Sequence, residues 1–430
     1  MSLAGYDVAK YRSFLDPTHI DLRPLTLLFG YNSAGKSALL RALPLIAASC
    51  HRNASGPIAL ESEVARGARF ADIRSRFEKG SFVEFALDFD AEDIRQISFR
   101  VFDVESAREQ VVERLQLRDA AGLVLSAVWT PSLEPSGSPS SAYAVTLRNS
   151  PPVQVRVSFR GLLPASDDPG MPAAAVELLA SAARKLDEVY SSIHWLQSVR
   201  APIPRYAELI TRPTRVQSTG ANAGAILAYD KFRGGRLVKR VSEWYERATQ
   251  HTLDLPDEAD RYSIVLSPSN APLVRVNVVD TGEGMTQVLP VLVLLAQAAE
   301  GVLGPSPVLA IEHPELHLHP NAERELSKLL CTSVASSVAT GGGRVRTILE
   351  THSHHVLLSV QLAIVHGDIS PDDVLVYWVR ELDDGQSSLD AVKFDELARP
   401  IDAKWPPGVF SEELEQARAL ALERMRRAHP

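Results

Sequence analysis

Alternating apolar and polar positions in the first 165 residues predict β-strands. Residues 81–89 and 95–104 alternate with the two-residue period of half-buried antiparallel strands, and residues 151–159 resume the same alternation. The sequence LTLLF at residues 25–29 is instead an uninterrupted apolar run, which is typical of a strand buried on both faces. This part of the chain is therefore expected to be rich in strands.

Other segments have the spacing of helices or loops. Residues 37–50, SALLRALPLIAASC, have helical spacing, although Pro44 predicts a kink or break within them. Residues 173–193 predict one long helix. Residues 130–141 are rich in proline, serine and glycine, so they are predicted to form an exposed loop. We find no repeat typical of a solenoid and no sustained heptad typical of a coiled-coil arm.

Composition indicates a folded chain. It has 430 residues, enough for one large composite domain or two units, and 45% of them are hydrophobic while 23% are charged. Its two cysteines, Cys50 and Cys331, lack the spacing of a disulfide framework or a zinc site. The N-terminus has no secretory pattern, and the longest apolar run, residues 288–299, is too short to cross a bilayer. The expected location is the cytoplasm, without membrane association.

Charge is distributed unevenly along the chain. A net charge of −8 argues against a protein that coats nucleic acid over its whole surface. Between residues 200 and 247, however, basic residues outnumber acidic ones, which would suit contact with the phosphates of DNA. The aromatic residues interspersed there are Tyr206, Tyr229, Phe232, Trp244 and Tyr245. A solvated surface held by salt bridges is the alternative interpretation.

One short stretch has a nucleotide-binding pattern. Residues 30–37, GYNSAGKS, fit the phosphate-binding loop (P-loop) without a mismatch, with a predicted strand before them and a helix after them. Glycines let backbone N–H groups turn toward phosphate oxygens, and the helix start adds positive potential. Lys36 is expected to reach the β- and γ-phosphates, and the Ser37 hydroxyl to hold Mg²⁺. The residues expected to contact the nucleotide are Gly30, Asn32, Ser33, Ala34, Gly35, Lys36, Ser37 and Ala38.

A P-loop needs a carboxylate on another strand to position the metal ion. Residues 308–311, VLAI, predict a buried parallel strand, and Glu312 lies at its C-terminal end, where doubly wound sheets bind ligands. The predicted metal ligands are therefore Ser37 and Glu312. Another apolar strand is predicted at residues 346–350, and His352 follows it.

A second glycine-rich turn precedes these two strands. Gly282, Glu283 and Gly284 stand at the start of an apolar helix, and such a helix N-terminus is a second anion site. One subunit cannot easily apply both sites to the same phosphate. Two subunits that meet face to face can do so. We call residues 282–284 the glycine turn.

Taken in order, these motifs resemble the heads of ABC/SMC-type ATPases. The P-loop, the glycine turn, EHPELHLHP at residues 312–320 and THS at residues 351–353 follow the order of that group. The chain resembles the stand-alone bacterial AAA ATPases grouped with the overcoming-lysogenization-defect (OLD) proteins. Within them it is similar to a branch with a C-terminal tail of the W-P-x-G-F-F type, here WPPGVFSEELEQA at residues 405–417. The TOPRIM nuclease domain of full OLD proteins is not expected.

The resemblance implies an α/β fold, namely a P-loop ABC/SMC-type ATPase head with a mostly parallel core sheet, an antiparallel β lobe and a helical insertion. The implied segments are an N-terminal part of the head at 1–165, a helical insertion or arm at 166–260, and a C-terminal part at 261–430. It also implies a homodimer, or a higher homo-oligomer, that sandwiches two ATP molecules between the P-loop of one subunit and the glycine turn of the other. His352 then matches the histidine that senses the γ-phosphate.

Two positions depart from the family pattern. Where the family has an aspartate followed by a glutamate base, this chain has Glu312 and His313, and the alternatives for the base are Glu315 and Glu350. Gly282 stands where the turn usually has a serine, which removes a hydroxyl donor to the γ-phosphate. We expect slow hydrolysis, because loss of a general base costs about a hundredfold to ten-thousandfold in rate.

Some polar residues near these motifs allow two interpretations. His317 and His319 have the spacing of a metal pair, but helix entry and interface packing explain them more simply. Arg200 and Arg205 would either reach a phosphate in the other subunit or form salt bridges to surface carboxylates.

The sequence alone is consistent with three candidate functions. The first is an ATPase, with ATP and Mg²⁺ as cofactors, whose dimer acts on DNA or on a partner effector in antiphage defence or DNA repair. The second is a nucleotide-gated scaffold with negligible turnover that holds a partner toxin or nuclease. The third, the ATPase subunit of a membrane transporter, is the least favoured, because we recognise no Q-loop with which such subunits contact their membrane partners.

Overall fold

The computed structural model describes residues 2–148, 150–208, 213–258, 261–339 and 345–401. The strands in these ranges are β1 (Ser2–Ala9), β2 (Thr18–Asp21), β3 (Leu25–Gly30), β4 (Phe82–Asp90), β5 (Gln96–Val104), β6 (Glu109–Asp119), β7 (Gly122–Trp129), β8 (Ala142–Leu147), β9 (Val153–Arg156), β10 (Ser158–Arg160), β11 (Leu163–Ala165), β12 (Ile193–Leu196), β13 (Ala207–Glu208), β14 (His251–Asp254), β15 (Asp257–Glu258), β16 (Arg261–Tyr262), β17 (Val265–Pro268), β18 (Val276–Asn277), β19 (Val308–Glu312), β20 (Arg346–Glu350), β21 (Val374–Glu381), β22 (Ser387–Phe394) and β23 (Pro400–Ile401). The α-helices are α1 (Lys36–Ser49), α2 (Phe70–Ile73), α3 (Ala173–Ser192), α4 (Ala223–Lys231), α5 (Arg236–Thr249), α6 (Glu283–Ala299), α7 (Pro320–Ala339) and α8 (His354–His366). Short 3₁₀ helices lie at Glu63–Ala65, Val278–Asp280 and Pro371–Asp373.

The centre of the molecule is a mostly parallel sheet, as expected. Among the described residues its strand order is β12-β19-β20-β3-β21-β22-β23. The first five of these strands are parallel, and β22 and β23 continue the sheet in antiparallel pairing. Because β3, β19 and β20 are parallel neighbours, their C-terminal ends meet at one edge, where open α/β sheets bind ligands.

Side chains of the core sheet alternate between two faces, and each face buries its own apolar cluster. In β3, Leu28 belongs to the first cluster, whereas Leu27 and Phe29 belong to the second. The first cluster also contains α1, α3 and the antiparallel lobe, and the second contains α4, α5, α6, α7 and α8. The apolar run predicted as a buried strand is thus covered on both sides.

An antiparallel sheet forms the expected lobe over α1. Its order within the described part of the chain is β2-β1-β4-β5-β6-β7-β8-β9. The Tyr6 hydroxyl of β1 donates a hydrogen bond of 2.8 Å to the Leu39 carbonyl oxygen of α1. This bond ties the lobe to the helix that follows the P-loop.

Most elements predicted from local patterns are confirmed. The alternating segments form β4, β5 and β9, and the long helix predicted at residues 173–193 is α3. Residues 130–141, all of which are described, contain no strand. The prediction that the helix breaks at Pro44 is wrong, because α1 continues to Ser49. Burial of Pro44 and its neighbours offsets the hydrogen bond that the proline cannot donate.

The segment predicted as a helical insertion, 166–260, also contributes to the core. Its strand β12 pairs in parallel with β19, and its helix α3 packs in the first cluster. Ile193 and Leu196 of β12 are buried within the two clusters, so this part of the segment packs inside the head. The domain boundaries themselves stay a prediction.

Two expectations concern the membrane and the C-terminal tail. None of the helices that the structure describes combines the length and the apolar content needed to cross a membrane. The tail motif at residues 405–417 lies outside the described residues.

A charged cluster lies where β2 and β4 flank β1. His19 Nδ1 is 2.8 Å from an Asp7 oxygen, and His19 Nε2 is 3.2 Å from an Asp21 oxygen. An Asp88 oxygen is 3.7 Å from Nδ1. The hydrogen bond to Asp7, with smaller contributions from the Asp7 charge and from Asp21, outweighs burial and raises the pKa of His19 to about 9.

We predict that His19 makes stability depend on alkaline pH. Because its folded-state pKa is raised, protonated His19 contributes fully below its unfolded pKa of about 6.5, and the contribution is lost as pH rises through about 9. The melting temperature of the wild type minus that of His19→Gln should therefore shrink between neutral and alkaline pH. Thermal unfolding followed by circular dichroism measures it, and a difference independent of pH would contradict the prediction.

Candidate functional site

The P-loop joins the C-terminal end of β3 to the start of α1. Lys36, the first residue of α1, is 3% exposed, and its Nζ donates to the carbonyl oxygens of Gly30 (2.9 Å) and Tyr31 (2.8 Å). Burial lowers the pKa of Lys36, and the charge of Glu350 opposes that shift. Since an ammonium group has three N–H donors, one of them is left for an anion inside the loop.

Glycine is required at both ends of this loop. Gly30 has a φ of +148°, and a Cβ there would lie 2.2 Å from the Val379 carbonyl oxygen. Gly35 has a φ of +107°, and a Cβ there would lie 2.8 Å from Ser387 Oγ. Gly35 is also the N-cap of α1, where it offers no side-chain acceptor, and the first turn of α1 has no acidic residue. The positive end of the helix is therefore open to an anion.

Ser387 of β22 holds the P-loop from the side, and sequence analysis missed it. Its Oγ donates to the Ala34 carbonyl oxygen over 2.7 Å, and its backbone N–H donates to the Ser13 carbonyl oxygen over 2.9 Å. The contact with Ala34 spans 353 residues of sequence. No local pattern marks such a residue, because only the folded core sheet brings β22 to the loop.

One turn of α1 faces the ends of two strands. Ser37 Oγ donates to Glu350 Oε1, at the end of β20, over 2.6 Å. One turn later, Arg41 donates to Glu312, at the end of β19, through Nε (2.7 Å) and Nη2 (2.5 Å). Glu312 and Glu350 are register partners on adjacent strands. A helical turn of about 5.4 Å matches a strand spacing of about 4.8 Å, so each turn meets one strand.

Glu312 is saturated by donors of the protein. It is completely buried, and besides the two bonds from Arg41 it accepts bonds from Trp195 Nε1 (3.0 Å) and the Ser198 N–H (3.4 Å). The structure thus places this carboxylate against Arg41, while the Ser37 hydroxyl meets Glu350. The role of Glu312 as metal ligand remains a prediction. Sequence reasoning missed Arg41, although its i+4 spacing from Ser37 placed both on one helical face.

One carboxylate oxygen of Glu350 accepts no hydrogen bond from the described residues. Glu350 is 2% exposed, and its Oε2 is buried without a hydrogen-bond partner among the described residues. With the adjacent Ser37 hydroxyl, it offers the oxygen ligands that Mg²⁺ prefers. The residues present therefore fit the metal expected with a nucleotide.

His313 adopts a backbone conformation that is uncommon outside glycine, with a φ of +43°. Its N–H donates to the Glu350 carbonyl oxygen over 2.8 Å. From the other side, Arg200 Nη2 donates to the carbonyl oxygens of Glu312 (2.8 Å) and His313 (3.2 Å). These three bonds fix the turn after β19, and with it the position of the imidazole ring.

The His313 ring lies among charged groups. It stacks on His352, with ring centroids 5.1 Å apart and planes 7° apart. Burial opposes its charged form, but the carboxylates of Glu315 and Glu350 outweigh burial and raise the pKa of His313 to about 9. Burial and the charges of Lys36 and His313 lower the pKa of His352. At neutral pH His313 is therefore protonated and has no free lone pair to act as a base.

Glu315 is bonded to the segment that carries His352. Its Oε1 accepts from Thr351 Oγ1 (2.7 Å) and the His352 N–H (3.1 Å), and its Oε2 is buried without a partner in the described ranges. Burial raises its pKa, but His313 and these bonds outweigh burial, so the pKa of Glu315 is lowered. A cavity of about 470 Å³ opens beside Glu315 and His352. Two of the residues predicted as catalytic thus share one cavity.

The glycine turn belongs to a different part of the head from the P-loop. It begins α6, which packs in the second cluster, whereas α1 packs in the first. A Cβ at Gly284 would lie 2.3 Å from the His317 carbonyl oxygen, so the turn packs closely against residues 315–320, which lead into α7. Gly282 and Glu283 are exposed. Within the described ranges, no hydrogen bond or ion pair joins the turn to the P-loop.

The pair His317 and His319 is exposed and does not belong to a metal-ligating group of the described chain. His319 Nδ1 instead accepts a bond of 3.4 Å from the Asn321 N–H at the start of α7, which agrees with helix entry. Among the residues that the structure describes, the group with metal-ligand spacing is Asp7, His19 and Asp88 in the β lobe.

The basic stretch between residues 200 and 247 is partly internal and partly paired. Arg200 is 3% exposed and faces the turn after β19, so it is not presented to another subunit. Arg205 donates to Asp280 over 2.8 Å. Trp244 is completely buried in the second cluster. These positions favour the salt-bridged interpretation over a surface for DNA.

A parallel sheet with a P-loop after a central strand, and acidic residues at the ends of the neighbouring strands, defines a P-loop nucleotide-binding domain. The family model described as "AAA domain, putative AbiEii toxin, Type IV TA system" matches residues 25–359, so the chain belongs to this family. A comparison with curated proteins gives no match.

Solved structures similar to the chain include heads of SMC proteins. The SmcHead bound to the C-winged helix domain of ScpA is 13% identical, with a TM-score of 0.49 and coverage of 92% of this chain and 99% of that one. The SMC head domain from Thermotoga maritima is 12% identical, with a TM-score of 0.42 and coverage of 94% and 100%. The Smc head domain with an extended coiled coil, bound to the C-terminal domain of ScpA and derived from Pyrococcus furiosus, is 12% identical, with a TM-score of 0.45 and coverage of 99% and 99%.

The packing of the glycine turn predicts different outcomes for two alanine substitutions. Gly284→Ala drives a methyl group into the His317 carbonyl oxygen, and should lower the free energy of unfolding by about 1–3 kcal/mol, as overpacking does. Gly282→Ala, the matched control, meets nothing within 4 Å and should stay within about 0.5 kcal/mol of the wild type. Urea denaturation measures both, and equal stabilities would contradict the close contact with residues 315–320.

Proposed function

We propose that this chain binds ATP with Mg²⁺, dimerises around it and hydrolyses it slowly. The observation that carries the proposal is the position of Lys36, buried inside the P-loop on the carbonyls of Gly30 and Tyr31, at an unblocked positive helix end. A buried ammonium group is favourable only with partners for its charge. The phosphates of a nucleotide supply that charge, and membership of an AAA-domain family supports the same ligand.

A dimer is proposed because one chain presents two separate halves of an ATP site. Helix α1, which follows the P-loop, and helix α6, which begins at the glycine turn, pack in different clusters on the two faces of the core sheet. Gly282 and Glu283 of the glycine turn are exposed, and Gly282 leaves the helix end without a side-chain cap. Gly282, Glu283 and Gly284 of one copy would then meet the phosphates bound by the other copy.

The residues at the strand ends would divide the steps of ATP hydrolysis among them. Mg²⁺ supplies positive charge to the phosphates, with Ser37 and a carboxylate at the strand ends as its protein ligands. Glu315 is proposed as the base, since its Oε2 has no hydrogen-bond partner among the described residues and its side chain lines the cavity beside His352. His352 is proposed to sense the γ-phosphate. Because His313 is protonated, it would hold Glu315 and Glu350 in place, and turnover would be slow.

The process served by this ATPase is proposed to be directed at DNA or at an effector protein. The family description names a putative toxin of a type IV toxin–antitoxin system, and we propose antiphage defence as the setting on that ground. DNA repair is the other proposed setting. It has less support, because the basic stretch between residues 200 and 247 is partly buried and paired.

A nucleotide-gated scaffold with negligible turnover is the second candidate. Two observations favour it, namely the engagement of Glu312 by Arg41 and the charged His313 at the usual position of the base. In that case ATP would assemble the dimer, which would hold a partner toxin or nuclease without releasing phosphate.

The proposal predicts that Lys36→Ala weakens nucleotide binding. A hydrogen bond to a charged group contributes up to about 3 kcal/mol, so the affinity should fall by up to about a hundredfold. The exposed Lys239→Ala is the control for loss of one positive charge, and should bind like the wild type. Titration with fluorescent mant-ATP measures both affinities. Equal binding by the wild type and Lys36→Ala would reject the P-loop as the nucleotide site.

Turnover distinguishes the two candidates. His313→Glu places a carboxylate where the family has its base, and should raise phosphate release at least about tenfold over the wild type. His313→Ala is the matched control, and it should not exceed the wild-type rate because it adds no base. Phosphate release at the background rate in all three proteins, despite ATP binding, would favour the scaffold.

A further inference from the structure

The two carboxylates at the strand ends beside the P-loop are engaged differently. We propose that Glu350, rather than Glu312, holds the Mg²⁺ of a bound nucleotide together with Ser37, and that Glu312 is the fixed partner of Arg41. This inference rests on the proposed nucleotide binding, and changes the identity of the metal ligand within it.

The contacts of Ser37 point to Glu350. In P-loop proteins this hydroxyl group holds Mg²⁺, and here it donates to Glu350 Oε1 over 2.6 Å. The other oxygen, Oε2, is buried and has no hydrogen-bond partner among the described residues, on a side chain that is 2% exposed. Because buried polar atoms are normally satisfied, an unpartnered carboxylate oxygen next to a Mg²⁺-binding hydroxyl marks a place for a cation.

The contacts of Glu312 leave no such place. Oε1 accepts from Arg41 Nε (2.7 Å) and Trp195 Nε1 (3.0 Å), and Oε2 accepts from Arg41 Nη2 (2.5 Å) and the Ser198 N–H (3.4 Å). A carboxylate has about four lone-pair sites, and each of these donors faces one. Turning Glu312 toward a metal would also leave the Arg41 guanidinium, a mostly buried group, without its counter-charge.

The strand order agrees with this assignment. β20 lies directly beside β3, the strand that leads into the P-loop, and β19 lies one strand further away. Neighbouring strands are about 4.8 Å apart, so the end of β20 is closer to the loop by about that distance. In register, Glu350 pairs with Leu28, close to Gly30 where the loop begins.

The test compares Glu350→Gln with the matched variant Glu312→Gln in the full chain. Mant-ATP is titrated with Mg²⁺ and with EDTA, and the melting temperature is measured without nucleotide. For Glu350→Gln, we expect affinity that no longer depends on Mg²⁺ and unchanged or slightly tighter binding in EDTA. Its melting temperature should fall less than that of Glu312→Gln, because His313, 3.5 Å from Glu350, keeps Glu315 as a second counter-charge. For Glu312→Gln, we expect the wild-type dependence on Mg²⁺ and a lower melting temperature, because Arg41 loses its counter-charge.

The opposite pattern would overturn the inference. If Glu312→Gln loses the dependence on Mg²⁺ while Glu350→Gln keeps it, Glu312 is the ligand and the proposed ATP binding still stands. If the wild type binds mant-ATP in neither condition, the proposed function itself fails, and the inference fails with it. Glu350→Asp and Glu312→Asp serve if a glutamine variant does not fold. Of these two variants, Glu350→Asp should show a weaker effect of Mg²⁺ on mant-ATP affinity, and Glu312→Asp should not. If Mg²⁺ has a weaker effect in Glu312→Asp alone, the assignment is rejected.

Discussion

The contacts between one turn of α1 and the ends of two parallel strands are the constraint on which the site depends. Ser37 meets Glu350 of β20, and Arg41 meets Glu312 of β19. These pairings exist because the strands are in register at Glu312 and Glu350, and because a helical turn of about 5.4 Å is close to the strand spacing of about 4.8 Å. The same register places the His313 N–H on the Glu350 carbonyl oxygen.

The two pairs differ in how easily they can open. The Arg41–Glu312 pair is an ion pair around a completely buried carboxylate, and removing one partner of such a pair costs about 3–5 kcal/mol. The Ser37–Glu350 contact is one hydrogen bond from a neutral hydroxyl, which is weaker, and the His313 ring lies 3.5 Å from the same Glu350 oxygen. The proposed nucleotide and its metal ion would therefore rearrange the contact between Ser37 and Glu350, while the Arg41–Glu312 pair keeps α1 fixed on the sheet. Arg200 adds to this rigidity by bonding both carbonyl oxygens of the turn after β19.

Local sequence patterns were sufficient to predict the strands, the long helix α3 and the P-loop. Each of these depends on periodicity or on a short motif, and the structure has them close to the predicted residues. The partners of the site could not be predicted in the same way. Glu312 was expected to face the metal, but its partner Arg41 lies 271 residues away along the sequence. The hydrogen bond from Ser387 to Ala34 spans 353 residues. Such contacts are set by the order of strands in the core sheet.

In the proposed dimer, two copies of this chain share the nucleotide between the P-loop of one and the glycine turn of the other. Sedimentation velocity with Mg²⁺ and a non-hydrolysable ATP analogue measures whether this dimer forms. We expect a monomer of 47.0 kDa without nucleotide, and a species of about twice that mass when the analogue is bound. A chain that binds the analogue and still sediments as a monomer would rule out the shared nucleotide.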